Sequence, residues 1–201
     1  MVNNSSFKRG LKNLSWLSMG LFVSKIIRFL TFVFIANILG AENYGIYVAC
    51  GAFSGMFSFI RFEGLDRVLL RASSENVSNT SLQASKISGV KILFSFLAII
   101  ATCFFSFFSN TLTSDMKIFV FLFSLQHLDS SISGIFRSIL QANERMQIIS
   151  FVGILRTLLF AAFAYTVLIL DYSVLELILV LLKLIIFPNY NFILSIINII
   201  F

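Results

Sequence analysis

Lys25 and Arg28 interrupt the apolar run around "SKIIRFL" (24–30), and Arg156 interrupts a second run, "GILRTLLF". A cation at the centre of a membrane span costs about 2.5–3.5 kcal/mol. Lys25 lies eleven residues past Leu14, roughly 16 Å along a helix at 1.5 Å per residue. A side chain covers only part of that distance, so snorkelling does not place the charge in water. Lys25 and Arg28 are three apart and share a helix face, with Ser18 and Ala36 close to the same stripe and Phe32 between. The chemistry this suggests is anion binding, because low dielectric magnifies the attraction between opposite charges. The alternative is a structural pair with a buried carboxylate, for which Asp129 is the obvious partner.

Asp129 belongs to "LQHLDSSISGIFR", where polar residues occupy two sides of a helix. His127, Ser130, Ser131 and Gly134 follow one face, and Gln126, Asp129, Ser133 and Arg137 another. Such a helix is surrounded by protein and lumen. His127 and Asp129 are candidates for a polar cavity or proton relay, since intramembrane His and Asp occur in relays. An interhelical hydrogen bond is the plainer reading. Two ligands on different faces make a poor metal site, so no metal and no cofactor are expected. With one His and no paired carboxylates, no catalytic cluster supports an enzyme.

The elements that hold these residues follow from composition. Of 201 residues, 58 % are hydrophobic and 12 % charged, against about half and about a quarter in soluble domains. Spans of about 20 apolar residues are expected near 14–38, 46–62, 88–109, 117–139, 147–170 and 173–187. These should be helices, because open strand edges cannot be satisfied in hydrocarbon, and the alternation of a barrel is absent. The fold class expected is an all-α polytopic bundle of about six spans, 14–187, after a polar segment 1–13. The first run is too long for a signal peptide core and reads as an uncleaved span. Cys50 and Cys103 lie in apolar runs and read as small hydrophobes. "GAFSG" (51–55) has the small-residue spacing that permits close helix approach. A fourth intramembrane cation is Lys183.

The net charge of +6 bears on orientation, and nothing resembles a nucleic-acid stripe. Ten of the fifteen cations fall on one set of connections: Lys8, Arg9, Lys12, Arg61, Arg67, Arg71, Lys86, Lys91, Arg137 and Arg145. The alternate connections hold Glu42, Asp115, Asp171 and Glu176 with one cation, Lys117. The positive-inside rule then makes the amino terminus cytoplasmic.

"ANILGAENYGIY" (36–47), "GLDRVLLR" (64–71) and "GIFRSILQANERMQIIS" (134–150) together resemble the first turn, the segment after the second span and the fourth-to-fifth connection of bacterial polysaccharide flippases. These form the O-antigen and capsule branch of the multidrug/oligosaccharidyl-lipid/polysaccharide exporter superfamily. The resemblance covers about Leu11 to Glu176. It implies transfer of undecaprenyl-pyrophosphate-linked oligosaccharide from the cytoplasmic to the periplasmic leaflet of the inner membrane, through a cationic cavity with alternating access. The partners implied are the lipid-linked oligosaccharide and membrane lipid. Lys25, Arg28 and Arg156 are chosen by depth to receive the pyrophosphate. The family has about twice the spans offered here, so the resemblance is to an amino-terminal lobe. The segment 188–201 stays apolar and reads as an atypical tail, truncated or frame-shifted. A missing carboxyl-terminal lobe or a second copy would then complete the cavity, and the chain alone is not expected to complete a cycle. The alternatives are a multidrug exporter lobe, a membrane-embedded glycan polymerase or transferase, and an inactive flippase remnant.

Overall fold

A computed structural model of the chain describes residues 4–75, 80–170 and 178–179. Among the described residues six α-helices follow one another up to residue 169: α1 (Asn4–Met56), α2 (Gly64–Glu75), α3 (Thr80–Phe108), α4 (Ser114–Ser124), α5 (Gln126–Ala142) and α6 (Met146–Ile169). A 3-10 turn, Phe57–Arg61, joins α1 to α2. No strand occurs among the described residues. The fold is an all-helical, polytopic membrane bundle.

Among the described residues four stretches, rather than six, are long and apolar enough to cross a bilayer: Asn13–Arg61, Ser85–Phe108, Ser114–Ala142 and Met146–Ile169. Two causes account for the lower count. The first two expected spans are one stretch, and the sixth, 173–187 with Lys183, lies outside the described residues apart from 178–179. So does the tail 188–201. Within α1 the helix is broken at Gly40, with φ 75° and ψ 168°, a conformation open to glycine because it has no Cβ. Phe32 and Tyr47 are fifteen residues apart, roughly 22 Å on a straight helix. Their ring centroids are 6.4 Å apart, so the chain turns back on itself at Gly40.

The third long stretch is also divided. At Leu125 the N–H reaches Leu122 at 3.3 Å, and Leu128 N–H reaches Leu125 at 3.2 Å. Ser124 Oγ donates to the Phe121 carbonyl at 2.7 Å. A side chain inserted into the backbone ladder is an established cause of a kink. α4 opens with Thr113 accepting from Met116 N–H at 3.4 Å, a standard N-cap. α5 closes through Glu144 at φ 55°, with Arg145 N–H on the Leu140 carbonyl at 2.9 Å. This satisfies end carbonyls that would otherwise be orphaned.

The core gathers Ile35, Tyr47, Cys50, Val120, Phe123, Phe160, Ala164 and Leu168 from both halves of α1, α4 and α6. Phe22, Phe29, Phe107 and Phe151 are exposed on the outside, where lipid is their solvent. The first half of α1 runs parallel to α6 through a close seam. Ser150 Oγ donates to the Trp16 carbonyl at 2.8 Å, and a Cβ placed on Gly20 would lie 2.5 Å from Ser150 Cβ. The small-residue contact therefore falls at Gly20 rather than at the "GAFSG" pair. A Cβ on Gly51 would lie an ordinary 3.5 Å from the Phe123 ring, and nothing lies within 4 Å of a Cβ on Gly55.

Lys91 differs most from its expected place among exposed loop cations. It is 2 % exposed and forms an ion pair with Asp66 of α2. Ser138 Oγ of α5 donates to the Asp66 carbonyl at 3.0 Å. A Cβ on Gly134 would come within 2.7 Å of Lys91 Nζ. Glycine there lets the ion pair nest against α5, so α2 is tied to both α3 and α5.

Candidate functional site

A cavity of about 1070 Å³ lies chiefly between both halves of α1, α2, α5 and α6. The α5 face read from spacing supplies Gln126, Asp129, Ser133 and Arg137, and all four line it. From the first half of α1 come Leu21, Ser24, Arg28 and Phe32, from its second half Tyr44, Tyr47, Val48 and Gly51, and from α6 residues that include Val152, Gly153, Arg156 and Leu159. Ser130, Ser131 and Gly134, read from spacing as part of the other polar face of α5, line the cavity too, so α5 meets the lumen with more than one stripe.

The lining holds six cations (Arg28, Arg61, Arg67, Lys91, Arg137, Arg156) and three carboxylates (Glu63, Asp66, Asp129), a net charge of +3. Each carboxylate is matched. Arg61 donates to Glu63 at 2.9 Å, Lys91 pairs with Asp66, and Arg156 Nη2 donates to Asp129 Oδ2 at 2.6 Å. Among the described residues, Arg28, Arg67 and Arg137 have no ion-pair partner. The surplus charge is therefore carried by these three.

The cations occupy two levels. Arg28 and Arg156 lie midway along their helices. Arg137 is eight residues beyond Asp129 on α5, about 12 Å further along the axis. Arg67 lies at a similar level, because Asp66 and Ser138, their immediate neighbours in the chain, are hydrogen-bonded. Positive charge thus runs from the α2 end of the bundle to the middle of the span. A low-dielectric wall focuses such a field and draws anions inward.

The sequence candidates separate. Arg28 and Arg156 line the cavity, while Lys25 is exposed and is not in the lining. On an α-helix residues three apart diverge by about 60°. The lumen stripe runs through Ser24, Arg28 and Phe32, and Lys25 falls at its edge, about 20° beyond Phe32. Asp129 serves the buried-carboxylate role, but for Arg156 rather than for Lys25 or Arg28. His127 and Asp129 are not brought together. His127 is buried and faces α1, with Nε2 3.4 Å from Ser54 Oγ. Asp129 points into the lumen and accepts from Ser133 Oγ at 3.3 Å.

Arg61, Arg67 and Lys91 belong to the cavity but entered the sequence reading only as topology markers, and Asp66 entered it only within "GLDRVLLR". The alternating apolar and charged residues of "LDRVLLR" are the one local signal that could have marked α2 as a wall. Many span hydroxyls are satisfied locally. Thr31, Thr102 and Thr157 donate to the carbonyls of Ile27, Ala98 and Gly153, at 2.7–2.8 Å. Their polarity is masked within the helix, as hydrocarbon requires.

The profile of a family described as "Polysaccharide biosynthesis protein" matches residues 10–200. The match takes in the segment 188–200 as well as the bundle. No curated protein and no solved structure matches the chain.

Proposed function

The chain belongs to the polysaccharide biosynthesis protein family, and from that premise we propose that it carries undecaprenyl-pyrophosphate-linked oligosaccharide across the bacterial inner membrane. The product would serve O-antigen or capsule synthesis. The observation that carries this reading is the surplus positive charge of the cavity, reaching mid-span through Arg28 and Arg156. A pyrophosphate headgroup entering at Arg67 and Arg137 would meet successive cations while its glycan occupied the lumen and its prenyl chain stayed in lipid. Alternating access needs two elements that rock against each other. In this reading the second element is a carboxyl-terminal lobe or a second copy of the chain.

The test is restoration of surface polysaccharide in a strain lacking its own flippase, with this chain alone and with a carboxyl-terminal lobe of the family co-expressed. Within the restoring combination, Arg28→Ala should lower export about ten- to a hundredfold, since a hydrogen bond to a charged group is worth about 1.5–3 kcal/mol. Lys25→Ala, outside the cavity lining, should export like the parent. Equal export by Arg28→Ala and the parent would overturn the anion cavity.

The orientation is tested separately. The cation bias puts the α2 end of the bundle in the cytoplasm. Reporter fusions at Asn110 should read periplasmic and those at Asn143 cytoplasmic. A cytoplasmic signal at Asn110 inverts the assignment.

A further inference from the structure

We propose that Asp129 sets how tightly the cavity holds its anion, by competing with the substrate for Arg156. The inference rests on the transport reading above and assigns a further residue to it.

The geometry is that of a partial clasp. Asp129 has a side chain only 7 % exposed, and Arg156 one that is 35 % exposed. Both line the cavity. One guanidinium nitrogen, Nη2, donates to Asp129 Oδ2 at 2.6 Å. A guanidinium carries five N–H donors in a planar fork, so one bond fixes the group without using it up. Ser133 Oγ steadies the other carboxylate oxygen at 3.3 Å. Arg156 is therefore held at one edge and presented to the lumen with the rest of its fork.

An arriving anion meets a cation that already has a counter-charge. It must share Arg156 or draw it away from Asp129. A pyrophosphate carries more charge than a carboxylate and wins that exchange. A monoanion gains little, because it only replaces an equal charge that is already in place. On release, Asp129 takes Arg156 back, so the cation is not left uncompensated in a low-dielectric wall, where breaking a pair is costly. Transport requires binding strong enough to admit the substrate and weak enough to let it go. Asp129 supplies the second condition and a preference for multiply charged headgroups.

The experiment uses the full chain purified in lipid nanodiscs and titrated with inorganic pyrophosphate, then with acetate as a monoanion. Asp129→Asn and Asp129→Ser remove the competing charge but keep a hydrogen-bond acceptor for Arg156. Either should bind pyrophosphate about tenfold tighter, in line with the coupling measured between close charge pairs. Either should also gain measurable acetate binding, and export should fall because release is slowed. Asp129→Glu keeps the charge and should restore the discrimination against acetate that the neutral variants lose. A residue that merely braced Arg156 would give the opposite result, weaker binding when neutralised. Unchanged or weaker pyrophosphate binding in both neutral variants overturns the proposal while the transport reading stands. Failure of both to purify as monodisperse protein makes Asp129 a structural residue and overturns it equally. A parent that binds no pyrophosphate removes the transport reading as well.

Discussion

Asp66→Ala should destabilise the protein by about 3–5 kcal/mol, the cost of removing one partner from a buried ion pair. The pair is asymmetric, with Lys91 2 % exposed and the Asp66 side chain 30 % exposed. Without Asp66, the Lys91 ammonium is left deep in the bundle. Without Lys91, the Asp66 carboxylate keeps some access to water. Lys91→Ala should therefore cost less than Asp66→Ala. Asp66→Ala combined with Lys91→Met removes both charges and keeps the apolar stem, and should recover most of the loss. Thermal unfolding in detergent, followed by the loss of monodisperse protein, ranks the three variants. Equal stability of Asp66→Ala and the parent would mean that the ion pair does not hold α2 to α3.

Gly20→Val should separate α1 from α6. The added Cβ would lie 2.5 Å from Ser150 Cβ and 2.9 Å from its Cα. The second of these is backbone, so no rotamer change relieves it. Overpacking costs about 1–3 kcal/mol and occasionally more, and the Ser150 bond to the Trp16 carbonyl would be lost with it. Gly55→Ala, with nothing within 4 Å, should be neutral. Gly20→Ala with Ser150→Gly should recover part of the stability, since the nearest contact is removed. The same unfolding assay decides. A neutral Gly20→Val would mean that the helices pack less closely than the Ser150 contact indicates.

The helices were legible because bilayer length and apolar runs leave little choice. The lumen face of α5 was legible too, since Gln126, Asp129, Ser133 and Arg137 recur at helical spacing on a half-polar helix. Partners were not. Asp66 and Lys91 are 25 residues apart and Asp129 and Arg156 are 27 apart, and local spacing says nothing about which helix faces which. The rotation of α1 was hidden for a related reason. A helix apolar on nearly every side has no polar face to orient it. Lys25 and Arg28 thus looked equivalent, although only Arg28 reaches the lumen. Lys91 was misread because a cation near a span end counts as a loop charge until a carboxylate from a neighbouring helix is seen beside it.

The two packing partners of α1 arrive at very different times during synthesis. Its own second half turns back at Gly40 and contacts the first half within fifteen residues, as the Phe32 and Tyr47 rings do. This hairpin can close as soon as it leaves the ribosome. The seam with α6 joins Trp16 to Ser150, 134 residues later. At about 5–20 residues per second, that interval is roughly 7–27 s. Throughout it the notch at Gly20 and the cation at Arg28 have no α6 to cover them. The nascent hairpin must be sheltered by the insertion machinery or by lipid headgroups drawn inward. A ribosome stalled before residue 150 should therefore leave the first span more readily extracted from the membrane than one stalled after α6 has emerged.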